Sequence, residues 1–294
     1  MARMQVLLAA VLFGTTGTAQ TLAPEIEPLV VGAARIAVGA TLLLFVAALV
    51  DRLRIGAGRS AVLLGGACVA LYQATFFAAV AETGVAIAAV VALGSAPAFT
   101  GVLAHAFAGE RLHWRWAAAT GLACAGVALL VLGGGAGGEV APAGVGLALI
   151  SGCGYAGYAV LGKRMLEAGG TPEGVMAAVF ATGALLLLPL LAVMPLGELT
   201  SPGGLALALY LGAIPTALAY ILFARGLERI GAGETATLTL AEPLTAAALG
   251  VIALGERPGA AAAAGAALVL GGLVLLALRP RALRAPVQAA GAPA

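Results

Sequence analysis

Charge is what this chain has least of. Only 10% of its 294 residues are Asp, Glu, Lys or Arg, where soluble domains carry roughly a quarter. It has one Asp (Asp51), one Lys (Lys163) and two His (His105 and His113). An intramembrane enzyme needs paired Asp, a Ser–His pair or a His cluster at depth, and that stock is too small to build one. Aromatics are scarce as well, at 5%. The three cysteines, Cys68, Cys124 and Cys153, all fall inside apolar runs. They read as small buried packing residues, not as disulfide partners or metal ligands. No Gly-x4-Gly-Lys-Ser/Thr loop occurs, so ATP hydrolysis would need another chain. No cofactor and no metal is expected. A net charge of +2 leaves no electrostatic footprint for nucleic acid.

What is present is apolar length. The chain is 62% hydrophobic, with a mean hydropathy of +1.08. Eight stretches lack Asp, Glu, Lys and Arg: 4–24, 60–81, 83–109, 116–138, 140–162, 174–197, 199–224 and 258–278. Each exceeds the ~20 residues that span a bilayer core. Two more apolar stretches carry embedded charge, 28–50 with Arg35 and 230–255 with Glu234 and Glu242. The runs are continuous and do not alternate, which excludes barrel strands. The fold class read here is an all-α membrane protein with ten transmembrane helices. Their expected spans are 4–21, 29–50, 61–81, 84–107, 114–132, 143–162, 174–194, 203–224, 233–254 and 258–278. Arg3 ahead of an apolar run imitates a signal peptide, but nine further spans argue for a retained helix.

Lys and Arg set the orientation. With the N-terminus inside, Arg3, Arg52, Arg54, Arg59, Arg111, Arg115, Lys163, Arg164, Arg225, Arg229, Arg279, Arg281 and Arg284 all fall inside, and only Arg257 falls in an outer loop. Both termini are then cytoplasmic. One Lys against fourteen Arg, with abundant Ala and Gly, fits a GC-rich bacterial genome and hence the inner membrane. The 43 glycines read mainly as close-packing surfaces between helices, since lipid supplies no hydrophobic drive. His113, Trp114, Arg115 and Trp116 read as an interfacial anchor.

The chain also repeats itself. Pro97-x11-Gly109-Glu110-Arg111 returns as Pro243-x11-Gly255-Glu256-Arg257, 146 residues later. At that offset Phe77 meets Phe223, Glu82 meets Glu228, Leu103 meets Leu249 and Gly126 meets Gly272. Five crossings per unit make the second copy inverted, which is a transporter architecture. The expected organisation is a first five-helix repeat over 1–135, an inverted second repeat over 136–279 and a disordered cytoplasmic tail over 280–294. A channel would favour rings of like charge or a carbonyl filter instead.

Two five-helix repeats, each with a Pro in its fourth helix and a Gly-Glu pair just after it, resemble the EamA-type transporters of the drug/metabolite transporter superfamily. Arg35 in the second helix and Ala241-Glu242-Pro243 add to the likeness. Within that family the chain looks most like bacterial exporters of aromatic amino acids and paraquat. The resemblance implies a central cavity lined by helices 1, 3, 4, 6, 8 and 9, with 5 and 10 outside. It implies export of amino acids, aromatic or otherwise apolar, and of related metabolites or drugs. Other small metabolites or cationic drugs are the alternative cargo. Sugar phosphates would want several buried cations, and only Arg35 qualifies. The partners expected are a small-molecule substrate and the lipid bilayer, with no nucleic acid and a functional monomer.

Glu242 is the leading site residue. A carboxylate near the middle of a span is costly unless it faces protein or water. Thr235, Thr239 and Glu242 share one helical face, read as facing the cavity. Glu242 would bind a substrate ammonium or carry a proton; the bland alternative is a structural carboxylate bonded to a neighbouring helix. Pro97 and Pro243 are expected to kink their helices. Ala96 stands where Glu242 would be in the first repeat, with Ser95 and Thr100 as weaker polarity. Tyr72, Gln73 and Phe76 on helix 3, Tyr155 and Tyr158 on helix 6, and Tyr220 on helix 8 would give an aromatic lining with a few hydroxyls; core packing is the alternative for each. Arg35 is expected to make an ion pair near Glu25 and Glu27 or to anchor at the interface; binding a substrate carboxylate is the alternative. Glu110 and Glu256 are read as structural acids that satisfy backbone donors at tight turns, each after a helix-ending Gly.

Overall fold

The computed structural model of the protein describes residues 1–23, 26–132, 141–255, 257 and 259–278. Glu25, the Gly-rich junction with Glu139, Glu256 and the basic tail lie outside the described residues. Nine described helices are long and apolar enough to cross a membrane. They are α2 (Pro28–Leu49), α3 (Arg59–Gly84), α4 (Ile87–Ala108), α5 (Trp114–Leu132), α6 (Pro142–Glu167), α7 (Pro172–Val193), α8 (Pro202–Leu227), α9 (Ala232–Ala253) and α10 (Ala260–Ala277). Ahead of them α1 (Ala2–Thr21) is 20 residues long. It is less apolar because it carries Gln5, Gln20, Thr15, Thr16, Thr18 and Thr21. Among the described residues every regular element is helical.

Local chemistry sets the boundaries. Pro28, Pro142, Pro172 and Pro202 each occupy a first helical position, where a missing N–H removes nothing. Thr171 and Ser201 cap α7 and α8 by accepting from Gly174 N and Gly204 N. The chain turns from α3 into α4 at Gly84, whose φ of 77° suits a residue without Cβ. The repeated Gly-Glu turn is structurally repeated too. Gly109 and Gly255 end α4 and α9 in the left-handed conformation, with φ of 65° and 70°. Their N–H groups bond the matching carbonyls of Ala104 and Gly250.

Packing follows the duplication, helix n of one half answering helix n+5 of the other. α1 packs on α8 and α9, while α6 packs along α3 and α4. α2 pairs with α7, and α5 with α10. Gly126 and Gly265 bring α5 and α10 so close that a Cβ on either would strike the other's carbonyl, a small-residue contact of the kind lipid-embedded helices use. The largest buried cluster runs through α1, α2, α3, α6, α7 and α8, and includes Phe13, Ile36, Tyr158, Phe180 and Phe223.

Two helices of the second half are irregular. α8 widens into a π-helical segment over Ala213–Leu218 around Pro215; Thr216 Oγ1 donates to Leu211 O at 2.7 Å there. α9 consists of Ala232–Leu238 and Ala241–Leu254, separated by a tight turn at Thr239 and Leu240. Pro243 cannot donate to the Thr239 carbonyl, and the Glu242 N–H bonds it instead at 2.9 Å. In the first half α4 stays helical through Pro97.

Candidate functional site

Rings from five helices meet in the middle of the bundle. Tyr220 of α8 lies 4.2 Å from Phe180 of α7 and 4.9 Å from Phe13 of α1, centroid to centroid. Tyr158 of α6 is 6.1 Å from both Tyr220 and Phe180 and 5.0 Å from Tyr155. Tyr72 of α3 joins Tyr158 at 5.8 Å, and Phe223 closes the group at 5.9 Å from Tyr220. Most of these pairs are tilted or edge-on, the arrangements the ring quadrupole favours, each worth roughly 0.5–1.5 kcal/mol beyond burial. Tyr158, Phe180 and Phe223 have no exposed surface.

Hydroxyls thread the rings. Tyr72 Oη lies 3.3 Å from Tyr220 Oη, and Tyr155 Oη lies 3.2 Å from Thr239 Oγ1. Thr239 also donates to its own helix at Ala236 O. The Tyr158 hydroxyl is buried with no protein partner among the described residues, a state costing about 1–3 kcal/mol. Arg35 reaches into the same place. Its Nη2 donates to Tyr72 Oη and to Gln73 Oε1, both at 3.5 Å, and its buried Nε has no partner. Its contacts are with Tyr72 and Gln73, and Arg35 enters no ion pair among the described residues, which leave out Glu25. Glu242 stands at the first turn of the second piece of α9, half-buried, where Gly14 lets α1 approach its backbone.

Some residues singled out by sequence thus converge: Tyr72, Gln73, Tyr155, Tyr158, Tyr220, Thr239 and Glu242. Others stand apart. Phe76 pairs with Phe77 at 5.6 Å and packs with Ala79, Ala88, Ala92 and Ala148. Ser95 donates to Ala92 O beside Gly152. Thr235 is fully buried and donates to Gly231 O within its own helix. Thr100 does likewise to Ala96 O. Pro97 and Pro243 flank the bundle centre on α4 and α9. Sequence reasoning did not place Arg35, Phe13 or Phe180 in this group. Arg35's charge at depth was the available signal; Phe180 sits in a nearly uniformly apolar helix, and Phe13 on the apolar stretch of α1, which give none. Cys124 Sγ donates to Gly94 O at 3.0 Å. Cys153 is exposed rather than buried.

Polar contacts, some between the halves and some within the second, gather at the end of the bundle that carries the N-terminus. Arg3 donates to Glu234 at 2.6 Å. The buried Glu173 carboxylate accepts from Arg225 at 2.6 Å and lies 3.7 Å from Arg52. Glu110 accepts from the backbone N–H of Ala232 at 2.5 Å and of Gly233 at 3.3 Å. It thereby caps α9 from the other half, where the helix dipole favours a negative charge. Lys163 donates to the last carbonyls of α8, Leu227 O at 3.0 Å and Glu228 O at 3.1 Å. A cleft of about 600 Å³ opens at this end between Arg52, Arg54, Arg225, Arg229, Asp51 and Glu228.

Comparison with known proteins fits this architecture. The sequence profile of the EamA-like transporter family matches residues 2–132 and again 142–278. An "Uncharacterized transporter YwfM" of Bacillus subtilis (strain 168) is 41% identical over 278 residues, 94% of this chain and 93% of that one. A "Probable terminal-alkyne amino-acid exporter" of Streptantibioticus cattleyicolor is 33% identical over 183 residues, 62% of this chain and 60% of that one. One solved crystal structure shares the fold with a TM-score of 0.82 at 21% identity, covering 93% of this chain and 95% of its own.

Proposed function

This chain belongs to the EamA-like transporter family, and within it we propose a secondary transporter that exports amino acids, aromatic or otherwise apolar, across the bacterial inner membrane. The observation that carries the reading is the mid-bundle cluster of rings and hydroxyls with Arg35 and Glu242 at its edge. Opened to one side, a lining of that make-up suits a partly apolar solute with few, well-placed polar groups. A relative named as an amino-acid exporter supports the same cargo. In this reading α1 is the tenth crossing and both termini are cytoplasmic. The two halves rock around the cluster and open it to one side at a time. The contacts of Arg3, Glu110 and Glu173 then close the cytoplasmic end, and must part to admit substrate. Glu242 binds the substrate or carries a proton.

Cationic drugs are the second reading, favoured by a carboxylate beside aromatic faces. Uptake and counterflow in liposomes, with a panel of labelled amino acids and with or without a pH gradient, separates the two. Flux of aromatic amino acids is expected. Failure to move any amino acid would remove the proposed cargo and leave the family assignment intact.

A further inference from the structure

Arg35 and Glu242 are charges at membrane depth that the fold leaves without an opposite charge in contact. Arg35 makes only long bonds, 3.5 Å each, to neutral partners, and its Nε makes none. The Glu242 carboxylate enters no ion pair or hydrogen bond among the described residues. Each such charge costs several kcal/mol unless water or a partner meets it. They come from opposite halves, and a chain of contacts through two tyrosines and Thr239 joins them. Arg35 touches Tyr72, whose ring lies 6.5 Å from that of Tyr155. Tyr155 bonds Thr239, and Glu242 follows Thr239 by one tight turn. Neither charge is in ion-pair contact with the other.

We propose that Arg35 and Glu242 form a two-point clamp for a zwitterion, Arg35 taking the carboxylate and Glu242 the ammonium of one α-amino acid. The clamp rests on the amino-acid reading above and gives it a chemical basis. The planar guanidinium matches a carboxylate through paired N–H donors, and Tyr72 and Gln73 hold its orientation. The substrate side chain lies against Tyr155, which with Tyr72 is a half-buried ring of the cluster. An analogue missing either charge leaves one protein charge bare, so discrimination is strong. The cation sits on the first half and the anion on the second, so binding the zwitterion draws the halves together.

The test uses the purified full chain in liposomes, with counterflow of labelled phenylalanine competed by phenylalanine, phenethylamine and 3-phenylpropionate. The amine and the acid are expected to compete at least about tenfold more weakly, the scale of one lost polar contact. The second readout is the thermal shift that each ligand gives in detergent. Arg35→Gln is expected to lose the shift by phenylalanine and keep one by phenethylamine. Glu242→Gln is expected to keep one by 3-phenylpropionate only. If neither variant folds, the wild-type competition decides alone. An amine or an acid that competes as well as phenylalanine overturns the clamp. So do variants whose response to all three ligands matches the wild type, while amino-acid transport still stands. A wild type that moves no amino acid overturns both.

Discussion

The two halves share a sequence pattern but use it differently. Pro97 and Pro243 hold equivalent places, yet α4 runs on as a helix and α9 breaks at Thr239 and Leu240. α8 is widened around Pro215, while Val69 stands at the equivalent place in α3 with no such distortion. Ala96 is buried and apolar where Glu242 is a carboxylate. The first half contributes the regular scaffold and the cation. The second contributes the irregular backbone and the anion. Duplication supplies a symmetric frame, and transport chemistry is read here as sitting where one copy has departed from it. Irregular backbone in a membrane is tolerated where protein or a cavity satisfies the freed groups, which α9 does through the Glu242 N–H.

The sharpest way to break the comparison is at Glu242. Glu242→Gln is expected to lower amino-acid flux in liposomes about 100-fold, and Ala96→Ser to leave it within about threefold, since each 1.4 kcal/mol is a factor of ten. Equal losses would mean that both halves carry the site. Next in size is the charge cluster in which Arg225 of the second half and Arg52 of the first meet Glu173. Glu173 is 1% exposed, while its partners Arg225 and Arg52 are about half exposed. Glu173→Gln is expected to lower stability by about 2 kcal/mol, the cost of leaving a buried hydrogen-bonded charge network incomplete, read as a lower melting temperature in detergent. No change would make that contact a passive surface pair.

Smaller effects follow from the prolines. Pro243→Ala restores an N–H for the Thr239 carbonyl and lets α9 close into one helix. The transport rate is expected to fall about fivefold, as for other hinge changes that alter gating. Pro97→Ala, in a helix already continuous, is expected to change it less than twofold. A larger loss at Pro97 would reverse the roles given to α4 and α9. Least of all, Glu110→Ala removes the cap on α9 and is expected to cost about 0.5–1 kcal/mol of thermal stability, typical of a lost helix cap.

The membrane architecture was legible because lipid demands about 20 apolar residues at a time, and nearly every span emerged within a few residues. The misses have one cause. α6 continues to Glu167 and α8 to Leu227, past the apolar windows, because a helix keeps its backbone bonds after it leaves lipid. The Gly109 and Gly255 turns were readable because their left-handed backbone belongs to glycine. Glu110's role as an acid for backbone donors was readable, but its target on α9 was not. That contact joins residues 122 apart in the chain. Arg35 was legible only in part for the same reason, with carboxylate binding the lesser of its two readings. Its sequence neighbours suggested an outer ion pair, and only tertiary packing turns it to Tyr72 and Gln73. Phe180 was invisible because a helix apolar on all sides does not announce which face is inward, and Phe13 because the residues just ahead of it in α1 are apolar on every face.

The most direct measurement is a structure with p-bromophenylalanine bound, located by the anomalous signal of bromine. The account predicts a peak beside Tyr155, with the amino-acid end between Arg35 and Glu242. A peak beside Phe76, Ser95 and Ala96, on the apolar side of the first half, would contradict it.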